Sequence, residues 1–201
     1  DNSNLNLLFD LINESNKHEF TLFLKMLITI SNNHIRKYNF FSKIEQILKF
    51  FKNKIKEFYS NSEIFHIFKS NKRILLFLIK EEMFVIDQNV YKIITTREKY
   101  LLSKYPQYFL PEIKHFITKA WISKIKQYKH YIGDWIDEIN NELPEQFEEK
   151  RLNGVNDDFI CKLIQKDSVE DFITYVNKTN YPLNSKITPS VYETNSFLVK
   201  K

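Results

Sequence analysis

Residues 154–180 read GVNDDFICKLIQKDSVEDFITYVNKTN, two short apolar stripes on either side of a polar turn. Phe159, Ile160, Leu163 and Ile164 recur at helical spacing, and so do Val169, Phe172, Ile173 and Val176, which predicts a helix pair that buries both sets. Asn156 or Asp157 can cap the first helix, and Lys166, Asp167 and Ser168 turn the chain. The second helix opens on one of two capping-box patterns, Asp167 with Glu170 or Ser168 with Asp171. Two helices of about ten residues cannot hide both stripes against each other, so each must also lean on a neighbouring pair. Cys161, the single cysteine, falls beside the stripe, where a small apolar side chain is ordinary.

The same helical texture runs upstream. Residues 5–12 and 19–30 make two candidate helices, the second apolar around Phe20, Phe23, Leu24, Leu27 and Ile28. Between residues 40 and 59 the apolar positions Phe40, Ile44, Ile47, Leu48, Phe51, Ile55 and Phe58 predict one long amphipathic helix with lysines on its other side. Ser60 to Ser62 then cap a short helix over 64–68, Asn71 opens a second, and Asp87 caps a third striped by Val90, Ile93 and Ile94. In YPQYFLP, each proline pushes its predecessor out of helical geometry and marks a boundary. Pro111 fits the first turn of a long helix reaching about residue 131, with Ile113, Phe116, Ile117, Ala120, Trp121, Ile125 and Tyr128 buried. Trp135, Ile136 and Ile139 supply the next helix, Pro144 starts another that ends at Gly154, and Pro189 opens a last one. Short helices on short links are the texture of an all-α, solenoid-like array of antiparallel pairs without significant β-sheet, although no fixed-period repeat is visible. Three regions follow: 1–104, helical; 105–153, a proline-marked junction with long helices; and 154–201, the hairpin block.

Composition bounds the function. The chain has 201 residues, 43% hydrophobic and 27% charged, as a folded protein requires. Its longest apolar run, ILLFLI at 74–79, is far short of the roughly 20 residues of a membrane-spanning helix. The start, DNSNLNLLFD, lacks the basic residues and cleavage site of a secretory signal and reads as that of a shortened chain. A lone cysteine calls for no oxidising compartment, which makes the cytoplasm the expected location. The tripeptides Asn13-Glu14-Ser15 and Asn177-Lys178-Thr179 match the glycosylation signal by chance in a chain with 20 Asn. Ile, Lys and Asn, which share A/T-rich codons, number 25, 26 and 20, against four Arg, two Gly and one Ala. Gly133 and Gly154 stand too far apart to build a dinucleotide fingerprint or a phosphate-cradling loop.

The block from GVNDDFICKLIQKDSVEDFI through ETNSFLVKK resembles the segment that precedes the ankyrin repeats in the large trichomonad-type multigene family of ankyrin-repeat proteins, from protists. EIFHIFKSNKRILLFLIKEE and YPQYFLPEIK are similar to the same family's N-terminal helical region, a domain of unknown function. The resemblance implies a scaffold with ankyrin repeats downstream; the repeat cue T-P-L-H-x-A is absent from these residues. It carries over no catalytic residue.

Reactive constellations are weak. Cys161 lies near Asp157 and Asp158, which raise a thiol pKa, and it reads as structural. His18, His34, His66, His115 and His130 form no H-E-x-x-H, and His130 with Asp134 is interrupted by Gly133. Glu81-Glu82, Asp157-Asp158 and Glu170-Asp171 read as caps and helix-dipole partners. Catalytic, cofactor-binding and metal residues are therefore expected to be none, and the chain is expected not to be an enzyme. Residues 1–130 carry 22 Lys and Arg against 12 Asp and Glu, while 131–201 carry 8 against 13. Lys49, Lys52 and Lys56 share a helix face that could meet nucleic acid or an anionic lipid surface. With only Arg36, Arg73, Arg97 and Arg151 to form forks, nucleic acid is the disfavoured partner. The acidic run from Asp134 through Asp137, Glu138, Glu142, Glu145, Glu148 and Glu149 reads as a solvated face. The expected function is a non-catalytic helical scaffold that caps the N-terminal end of an ankyrin array and binds a protein partner; the alternative is a basic face that binds nucleic acid or anionic lipid, and behind it stands an enzyme with an unrecognised site.

Overall fold

The computed structural model describes residues 7, 9–12, 16–33, 38–102, 104–126, 143, 146–154, 159–182 and 192. The chain is all-α: helices account for most of the described residues, and no strand occurs among them. It divides into two compact units, Asp1–Ile94 with Asn195–Lys201, and Thr95–Thr194.

In the first unit α1 spans Lys17–Asn33, α2 Tyr38–Phe50, α3 Lys52–Phe58, α4 Asn61–Phe68, α5 Lys72–Lys80 and α6 Gln88–Thr96. α1 buries Phe20, Leu24, Leu27 and Ile28 and packs on α2 and α4, while α4 packs on α5. The caps fall where the sequence puts them. Ser60 and Glu63 complete a capping box on α4, and Asn71 accepts from Ile74 N at 3.0 Å to start α5. Asp87 accepts from Asn89 N and Val90 N at the head of α6.

The expected long helix over 40–59 is instead two segments that meet at Phe51. This residue sits at φ −90°, ψ 16°, between the α region and the extended region, yet Ile47 O and Ile55 N still bond to its backbone. Its ring is 2% exposed and meets Phe20, Phe23, Phe9 and Phe50 edge-on at 5.0–5.7 Å. Packing four rings around one residue outweighs the small cost of a distorted turn.

In the second unit α7 spans Glu98–Leu102, α8 Tyr105–Tyr108, α9 Leu110–Ile113, α10 Lys119–Lys126, α11 Phe147–Asn153, α12 Phe159–Gln165 and α13 Val169–Thr179, with a 3₁₀ turn at Lys114–Phe116. The proline segment is core as well as boundary. Pro106 and Pro111 occupy the first turns of α8 and α9, and every residue from Tyr105 to Leu110 is buried. The long helix expected after Pro111 is broken at Ile117, which is extended, because Thr118 Oγ1 accepts from Trp121 N and starts α10 afresh. Gly154 ends α11 in the left-handed conformation at φ 62°, as its position implies. The expected helix around Trp135 and the one opened by Pro189 lie outside the described residues.

With so few glycines, other residues take left-handed positions: Glu82, Lys104, Gln146, Asp167 and Asn180. After α5, Glu82 N donates to Ile79 O and Met83 N to Leu78 O; after α12, Asp167 N donates to Ile164 O and Ser168 N to Leu163 O. Both are Schellman caps, and in the first Met83 and Leu78 are both buried.

Candidate functional site

The α12–α13 pair departs most from its sequence expectation. Ile160 and Leu163 of α12 are buried, but α13 buries no residue at all. Val169 is 60% exposed and Ile173 52%, while Phe172, Tyr175 and Val176 are half-buried. Phe159 and Tyr175 bring their rings to 4.8 Å, which seats one side of α13 against α12. Phe159 and Ile164 of α12 are also exposed. The expectation that α13 buries Val169 and Ile173 is therefore corrected: no described element covers them. Neither capping-box pattern forms, since Ser168 precedes α13 without a side-chain cap bond and Asp167 is taken by the Schellman turn. Asp167, Glu170 and Asp171 are left exposed around the first turn of α13.

Three polar clusters each lie within a single unit. In the second unit Arg151, 1% exposed, grips Glu112 with both terminal nitrogens at 2.7 and 2.9 Å and reaches Glu148 at 2.6 Å. Its Nη1 also donates to Tyr108 O at 2.9 Å, and the Tyr108 hydroxyl returns a bond to Arg151 O at 3.0 Å. The guanidinium lies over the rings of Phe147 and Tyr108 at 5.3 and 5.7 Å. Burial alone would lower its pKa, but the hydrogen bonds and charges of Glu112 and Glu148 outweigh burial and hold it above its ordinary value. In the first unit Lys54 donates to Ile12 O beneath the rings of Phe20 and Phe58, and burial pulls its pKa down against Glu57 and Glu19. Asn71, fully buried, ties α5 to α1 through Ser31 Oγ at 3.2 Å and Asn32 Oδ1 at 2.9 Å. Arg151, Lys54 and Asn71 are buried, and each is bonded within the fold.

The sequence-derived candidates among the described residues do not converge. Cys161 is half-buried on α12, and His18, His66 and His115 are exposed on three separate elements. His34, His130, Asp134, Asp157 and Asp158 lie outside the described residues. No group of three metal-binding side chains occurs among the described residues. Glu170 and Asp171 stand in the first turn of α13, as helix-dipole partners should. Of the basic face, Lys49 is tied to Glu81 at 3.0 Å while Lys56 is exposed. Among the described members of the acidic run, Glu149 is solvated but Glu148 is bound to Arg151.

The Arg151 cluster was invisible to local spacing because Glu112 and Tyr108 lie about forty residues upstream. One signal did mark it: in a chain that uses Lys almost throughout, a retained Arg points to a place that needs a planar fork. Arg73 fits the same rule, lying over Phe41 at 4.0 Å and beside Glu45 at 3.8 Å. No helix among the described residues is long and apolar enough to cross a membrane. No family model, no curated protein and no solved structure matches the chain, so the likeness to ankyrin-repeat proteins rests on the quoted residues alone.

Proposed function

We propose that the protein is a non-catalytic helical scaffold that caps the N-terminal end of an ankyrin-repeat array and engages a protein partner. The observation that carries this reading is the exposed apolar side of α13, Val169 and Ile173, on a helix that buries none of its own residues. An amphipathic helix at the end of a helical stack is stable once the next unit covers its free side. The resemblance of residues 154–201 to the segment before ankyrin repeats names that next unit as a helix pair of the same kind. The dispersal of Cys161, His18, His66 and His115, and the use of Arg151 and Lys54 in packing, support a binding role over a chemical one.

The reading is tested by appending two ankyrin repeats of consensus sequence and measuring thermal unfolding. Covering Val169 and Ile173, each about half exposed, recovers about 1 kcal/mol apiece. For a chain of this size that corresponds to a rise of roughly 4–8 °C in melting temperature. An extended chain that melts at or below the unextended one removes the capping role.

A further inference from the structure

We infer that the first unit pairs with a second copy of this chain through an apolar face built by α1, the end of α2 and the helical turn that precedes α1; this stands independently of the capping reading. Leu7, Leu11, Leu22, Met26 and Phe50 are each between 51 and 69% exposed, and all five belong to the first unit. Successive residues of a helix are turned by about 100°. Counting along α1 from Phe23 at zero, buried Leu27 and Phe20 fall at about +40° and +60°, half-buried Ile30 at about −20°, and exposed Met26 and Leu22 at about −60° and −100°. The apolar side of α1 therefore continues past the core and into the open. Rings carry it to the neighbouring elements: Phe23 meets Phe51 at 5.7 Å, Phe51 meets Phe9 at 5.7 Å, and Phe9 stacks on the exposed Phe50 at 4.3 Å. Leu7 and Leu11, four apart on the helical turn that bears Phe9, stand on the side of that turn opposite its ring.

Area and charge together name the occupant. Large apolar side chains half to two-thirds exposed show about 100 Å² apiece, so the five present roughly 500 Å², at the upper end of the largest patch on an ordinary monomer. A stable interface takes about 800 Å² from each partner, and where the partner is a second copy about 65% of that is apolar, which is again roughly 500 Å². The exposed charges beside the face are of both signs. Asp10 adjoins Leu11, and Glu19 falls at about −40° on α1, on the side of Met26. Lys25 adjoins Met26, and Lys43, seven residues before Phe50, shares its side of α2. An anionic bilayer or a nucleic-acid backbone would meet like charge at Asp10 and Glu19, whereas a two-fold pairing can set those carboxylates against the same lysines of the second copy.

Sedimentation velocity of the 201-residue chain, from about 1 to about 200 μM, reads the pairing. The mass is expected to rise from that of one chain to that of two within this range. Leu11→Asp and Met26→Asp each place a charge twice in a two-fold interface, and each should weaken pairing at least about tenfold. Both replace exposed side chains, so at about 1 μM their melting temperatures should stay within about 2 °C of the parent. Ile173→Asp, on the other unit, should leave pairing unchanged. A mass of one chain at every concentration overturns the inference, and so does a dimer that survives both aspartate variants. A dimer lost on Ile173→Asp and kept in the other two moves the interface to α13 and equally overturns it. Vesicles containing phosphatidylserine are the last arm: a monomeric chain that sediments with them, and is released by Leu11→Asp, gives the face to a membrane instead of a second copy.

Discussion

Arg151 illustrates how a single residue is chosen by geometry. A lysine would bring one point charge to Glu112, Glu148 and Tyr108 O, where the guanidinium serves all three with two nitrogens in fixed planes. Removing one member of a buried pair leaves the other desolvated and unpaired, so Arg151→Ala and Glu112→Ala are each expected to cost about 3–5 kcal/mol in urea unfolding. Arg151→Lys should fall between, because it keeps the charge and loses the fork. A loss below 1 kcal/mol for both alanine variants would show that the cluster is not a structural anchor. Glu63 carries a different expectation. The Lys17 ammonium, then Ser60 N and the Ser60 hydroxyl, hold its pKa down at about 2 from 4.5. A depressed carboxylate stabilises the fold fully above its unfolded pKa and ceases to do so as pH falls through its folded one. The excess stability of the parent over Glu63→Gln should therefore be constant above about pH 5 and shrink between 4.5 and 2. Because Glu63 is half exposed and so is Lys17, added salt should reduce the same excess.

The elements show where local signals suffice and where packing intervenes. Ser60, Asn71, Asp87 and Gly154 end or begin helices at the positions read from the sequence, because a cap is a bond between residues two to four apart. Phe51 defeats that reading. Its spacing continues the stripe from Leu48 to Ile55, and only its contacts with Phe20, Phe23 and Phe9, distant in sequence, account for the distorted turn. Thr118 is a local signal that the apolar periodicity of residues 113–125 masked. Glycine scarcity gives the clearest expectation at this scale. Glu82 occupies the left-handed position of a Schellman cap, where a Cβ costs about 1 kcal/mol. Glu82→Gly should accordingly raise the melting temperature by a few degrees, about 1 kcal/mol less the added freedom of the unfolded chain. An unchanged or lower melting point would mean that the Glu82 side chain makes up for its backbone.

For the molecule as a whole, burial is unevenly distributed. The first unit packs Phe20, Phe41, Phe51, Phe65, Phe68 and Phe84 to 2% exposure or less, whereas α13 of the second unit buries nothing. Val169→Asp should for this reason be nearly neutral in the chain alone, within about 0.5 kcal/mol, as surface substitutions are. In the chain extended by repeats it should abolish the gain in melting temperature, and a large loss in the unextended chain would instead reveal a contact within the fold. By itself the sequence determined the all-α class, most helix positions in the first unit, and the helix ends at Ser60, Asn71, Asp87 and Gly154, because periodicity and capping act over a few residues. Only the tertiary structure decided that Phe51 interrupts a helix, that the proline segment is core, that Arg151 closes on Glu112, and that no described element covers Val169 and Ile173. Each of those depends on which distant segments occupy the space around a residue, and helical spacing says which side of a helix is apolar without saying what, if anything, lies against it.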